Sequence, residues 1–167
     1  KFRHLLAVSA VIGGTAFGTV AWSEGSKVPV YLNASQAVAI QNELSTALSQ
    51  VNSRAFSSAP AKDLALGVSV EQVTQAEIRM VGRDSAGPIA SVIIAVALRN
   101  STSATVIGKA LGRVAVQIST CKASGEDVAC DSAKEIARTV ANEGTSVMVD
   151  AFVSAVSSAG GSVDLSS

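Results

Sequence analysis

Apolar positions first settle into a clear period at residues 37–51. Ala37, Ile40, Leu44, Ala47, Leu48 and Val51 recur at three- and four-residue spacing, while Glu43, Ser45, Thr46, Ser49, Gln50 and Asn52 fall mostly on the other side. That stripe predicts an amphipathic helix over about 34–54. Asn33, with Gln36 three residues on, offers a capping box at its start. Ser57-Ser58-Ala59-Pro60 marks a turn beyond its end.

The middle of the chain alternates instead. Leu64, Leu66, Val68 and Val70 share one parity, and Thr74, Ala76, Ile78 and Met80 oppose Gln75, Glu77 and Arg79. Both stretches predict strands. Residues 89–98 are almost continuously apolar, as in a central strand covered on both faces, and Asn100-Ser101-Thr102-Ser103 reads as a hairpin turn. A long strand is expected over about 105–120, with Val106, Val114, Val116 and Ile118 on one face. Gly108 and Gly112 share that face and permit curvature or the close approach of a helix. Upstream, 27–32 (KVPVYL) suits a short edge strand, because Pro29 cannot donate to a ladder.

The carboxy-terminal helix has the longest stripe: Ile136, Val140, Gly144, Val147, Met148, Ala151 and Ala155. Ser132 and Glu135 form its expected capping box, and Gly160-Gly161 its stop. Val149, Phe152, Val153 and Val156 make its second half apolar on more than one face. These four are either core or a candidate partner surface. The predicted fold class is therefore α+β: an antiparallel sheet of about four to five strands packed against two helices. This order of 27–32, helix, strand run and closing helix resembles the small α+β domains of bacterial envelope proteins, the curli-secretion and TolB amino-terminal types. The resemblance implies a periplasmic, protein-binding module.

Residues 1–23 change the picture from a plain domain to an exported one. Lys1 and Arg3 precede an apolar stretch over 5–20, broken by Gly13-Gly14 and Gly18, and small residues at Thr19, Ala21 and Ser23 suit a peptidase. This predicts a signal peptide. The alternative is a retained membrane anchor, since 5–22 reaches the lower edge of a bilayer span. Residues 24–167 then form a single domain located in the periplasm, at the cell surface or outside the cell.

Composition mostly removes possibilities. The chain carries 13 basic and 13 acidic residues and is 48% apolar but only 4% aromatic. Balanced charge and scarce aromatics argue against nucleic acid as a partner. The sole histidine is His4, inside the leader, so histidine-based catalytic triads have no base in the mature chain. Ser119-x-x-Lys122 matches a penicillin-enzyme pattern without its Lys-Thr-Gly companion, and Gly82 to Gly87 has phosphate-loop spacing with Pro88 and Ile89 in place of Lys and Ser/Thr. Glu126, Asp127 and Asp131 read as a solvated acidic connection. Asn33-Ala-Ser35 and Asn100-Ser-Thr102 match glycosylation acceptors. No catalytic, cofactor or metal site is expected.

Cys121 and Cys130 are the only cysteines. In an exported chain so close a pair predicts a structural disulfide across a strand connection, contributing roughly 2.5–3 kcal/mol by loop-closure entropy. The functional expectation is an exported, non-catalytic cell-envelope protein acting as an assembly, auxiliary or protein-binding domain. Its partners would be other envelope proteins or a second copy, with the membrane engaged only through an uncleaved leader. The alternatives are a self-assembling subunit of an extracellular filament, sheath or virion, and a carrier of a small apolar ligand.

Overall fold

A computed structural model describes residues 32–119 and 128–161, with side-chain surroundings in the second stretch from residue 132. The leader, most of the expected 27–32 strand, and Cys121 lie outside the described residues. Within them are six helices and no strand: α1 (Ala34–Asn52), α2 (Ala59–Val81), α3 (Ala86–Arg99), α4 (Ala104–Ile118), α5 (Val128–Glu143) and α6 (Ser146–Ser158). The α+β expectation, and with it the fold implied by the envelope-domain resemblance, is therefore corrected to an all-helical bundle.

α1 forms as its pattern predicts. Asn33 Oδ1 accepts the Gln36 N–H at 2.8 Å, and Gln36 Oε1 accepts the Asn33 N–H at 3.0 Å. The helix buries Ile40, Leu44, Leu48 and Val51. α2 replaces the two alternating strands. Ser58 caps it by accepting the Ala61 N–H, Pro60 occupies its first turn, and Gly82 at φ +120° ends it. Its core face includes Leu66, Val70, Thr74 and Ile78, a four-residue period that the alternation over 64–70 and 74–80 concealed.

α3 is the axis of the bundle. Eleven of its fourteen residues are buried, and it touches α1, α2, α4 and α5. A run covered on every side has no polar face to reveal its period, so a buried helix and a buried strand look alike in sequence. At about 1.5 Å per residue it is too short for a bilayer. No helix among the described residues is long and apolar enough to cross a membrane. Complete burial of each isoleucine here (Ile89, Ile93, Ile94) contributes about 1.5–3 kcal/mol.

α4 begins at Ser103, whose hydroxyl accepts the Val106 N–H, and it buries Ile107, Ala110, Leu111 and Val114 completely. The glycine pair does bring a helix close, but from within a helix: Gly108 and Gly112, one turn apart, lie against the backbone of α6 at Met148 and Phe152. The single closing helix divides in two at Gly144. Thr145 caps α6 by accepting the Met148 N–H. Ser132 is not a cap: it sits inside α5 and donates to the Arg83 carbonyl at 2.9 Å. The Gly160 stop holds, at φ +74° with the Gly161 N–H reaching the Val156 carbonyl.

The strand connection expected between the cysteines is corrected on the same ground, since Cys130 belongs to helix α5; the expected disulfide itself involves Cys121, outside the described residues. In running order α1 and α2 are antiparallel. α2 and α4 run the same way, joined by Arg113–Glu71 and Gln117–Glu71. α3 and α5 run together through Ser91–Glu143 and Thr139–Gly87.

Candidate protein-binding groove

α2 carries two apolar stripes, and only one of them faces the core. Leu66, Val70 and Val73 point inward, whereas Leu64 is 64% exposed and Val68 39% exposed. The pair lies one turn apart near the start of α2, opposite the end of α1. Between the two helices runs a groove of about 480 Å³. Ala47, Val51 and Ala65 form its apolar wall beside Leu64 and Val68, and Gln50, Arg54, Ser69 and Gln72 supply the polar edge. The antiparallel α1–α2 turn sets this geometry. Ser53 ends α1, Phe56 packs partly against the core, and Ser58 with Pro60 restarts the helix.

No carboxylate lines the groove, and Arg54 makes no ion pair among the described residues. The surface therefore presents methyl groups with one uncompensated positive charge. It can hold apolar side chains and favour an anionic neighbour. Sequence reasoning missed it, because Leu64 and Val68 were absorbed into an alternating strand. Their four-residue spacing, offset from that of Leu66 and Val70, was the available signal.

The residues singled out from sequence are dispersed. Phe152 and Val156 are in the core, Val149 is half-buried against it, and Val153 is 39% exposed. Gly82 to Gly87 spans the end of α2, a 3-10 turn at Arg83–Ser85 and the start of α3. Asn33 is a helix cap, and Asn100 donates to the Val96 carbonyl at 2.9 Å. Lys122, Glu126 and Asp127 lie outside the described residues. Among those residues no three His, Cys, Asp or Glu side chains gather as a metal site.

One carboxyl stands apart. Glu77 is 3% exposed in α2 and meets Glu43 of α1. Burial foremost, then its hydrogen bond to Glu43 and that group's charge, push Glu77 above its ordinary value. The hydrogen bond between Glu77 and Glu43 joins the two helices.

Neither a protein family, nor a curated protein, nor a solved structure matches this chain.

Proposed function

We propose that this is an exported, non-catalytic cell-envelope protein whose bundle serves as a protein-binding, assembly module. Its α1–α2 groove receives a short amphipathic helix of a partner protein. The observation that carries this reading is the second apolar stripe of α2. Leu64 and Val68 stand exposed over a groove already walled by Ala47, Val51 and Ala65. Helix-in-groove recognition uses such a surface, with partner anchors at three- and four-residue spacing. Charge selects among partners. Arg54 at the edge, with no carboxylate lining the groove, favours a helix bearing an acidic residue beside its apolar stripe.

Fluorescence anisotropy with synthetic peptides tests the reading. One amphipathic peptide carries leucines at helical spacing and a flanking glutamate; a second has lysine there, and a third is scrambled. The glutamate peptide should bind most tightly, Leu64→Gln should abolish binding, and Arg54→Glu should reverse the preference towards lysine. Equal binding of all three peptides, or binding indifferent to Leu64→Gln, overturns it. Sedimentation of the same variants covers the rival occupants. Self-association lost in Leu64→Gln would put a second copy in the groove, and copurifying lipid lost with that substitution would make it a carrier.

A further inference from the structure

A second concavity lies at the other end of α2, about 360 Å³ between that helix and the end of α4. Ile78 and Ile118 give it apolar walls, and Gln75 and Gln117 face it from the two helices. Its remaining lining is Arg79, Gly82 and Arg83. We propose that this cleft binds a small phosphate-class oxyanion, held by the guanidinium groups of Arg79 and Arg83.

Four observations carry it. First, two cations and no carboxylate line one cleft. Second, neither Arg79 nor Arg83 makes an ion pair among the described residues. The carboxylate one turn up α2 from Gln75 is already engaged. Glu71 accepts from Arg113 Nε at 2.8 Å and from Gln117 Nε2 at 2.9 Å. Third, the backbone is shaped for the pairing. Gly82 at φ +120° breaks α2 between the two arginines, so that the 3-10 turn returns Arg83 to the cleft that Arg79 reaches from the helix. Fourth, the polar wall is braced. Gln75 Nε2 donates to Gln117 Oε1, and Gln117 donates to Glu71.

The placement of Arg79 alone has a simpler account, since a cation in the last turn of α2 complements the helix dipole. Arg83 follows the Gly82 cap beside the same pole, so the dipole favours a cation at each position without bringing the two to one cleft. Their convergence on one concavity with apolar walls is what a dianion requires. Guanidinium forks bind phosphate oxygens in pairs, and both arginines are exposed to a ligand from solvent. This reading is independent of the α1–α2 groove and stands if that groove is empty of function.

Isothermal titration of the full chain with inorganic phosphate, against chloride at matched ionic strength, tests the proposal. A parallel arm uses phosphatidylcholine vesicles with and without phosphatidic acid. Arg79→Gln and Arg83→Gln should each weaken binding by about tenfold or more, with thermal melting unchanged, and Arg79→Lys should retain part of it. Binding of free phosphate identifies a soluble ligand. Binding to phosphatidic acid vesicles alone, lost in the double glutamine variant, identifies a lipid headgroup. Phosphate no better than chloride together with vesicle binding indifferent to both arginines overturns the proposal.

Discussion

A β-carbon on Gly112 of α4 would lie 2.7 Å from the carbonyl oxygen of Phe152 in α6. Gly108, one turn earlier, meets the Met148 carbonyl still more closely, with Ala151 at 3.0 Å. Neither obstacle is a flexible side chain; each is backbone, so relief requires the helices to part. Gly108→Val and Gly112→Val are each expected to cost more than about 2 kcal/mol in urea unfolding. Gly67 of α2 provides the contrast, because its β-carbon would find Arg113 and Val106 at 3.4 and 3.5 Å, ordinary contact distances. Gly67→Ala should stabilise by about 0.5–1 kcal/mol. Equal costs at all three sites would mean that the α4–α6 seam is not backbone-limited.

The apolar end of α6 divides by burial. Phe152→Ala removes a wholly buried ring and should cost about 3–5 kcal/mol, whereas Val153→Ser, on the surface, should change stability by less than about 0.5 kcal/mol. Chemical denaturation of both variants checks the division.

Glu77 predicts a pH profile. The folded state holds its proton more tightly than the unfolded chain does, because burial and Glu43 raise the carboxyl above 4.5. Its contribution is then most favourable below the unfolded value and declines as pH rises through the folded one. Glu77→Gln keeps a donor for Glu43 and leaves no charge to bury. The variant should match the parent near about pH 4 and exceed it near about pH 7, with a shallower fall between. Glu143 is also raised by loss of solvation, partly offset by the Ser91 hydroxyl, so some slope should remain. A variant weaker than the parent at neutral pH would show Glu77 to be ionised and paired.

The α3–α4 turn contains two removable costs. Ser101 adopts φ 59°, a left-handed conformation that suits glycine, while the Thr102 N–H closes the helix end on the Ala97 carbonyl. Ser101→Gly should stabilise by about 1 kcal/mol. The Thr102 hydroxyl is buried without a hydrogen-bond partner, so Thr102→Val should gain about 1 kcal/mol as well. Thermal melting of the single variants reads both.

Local chemistry determined the elements whose ends are written in side chains. The Asn33–Gln36 box starts α1, the turn before Pro60 separates two elements, residues 100–103 reverse the chain, and Gly160 stops α6. Each is a short-range hydrogen bond or a backbone preference, complete within a few residues. Helix or strand between 59 and 118 was not decided that way. Leu66 and Val70 fit a period of two as well as a period near four, and alternation by itself reads as strand. Only packing removes the ambiguity: α3 is enclosed by four helices, and Gly108 and Gly112 let α6 rest on α4. The exposed groove at Leu64 and the convergence of Arg79 and Arg83 belong to the same level. They depend on which face of α2 the rest of the bundle covers.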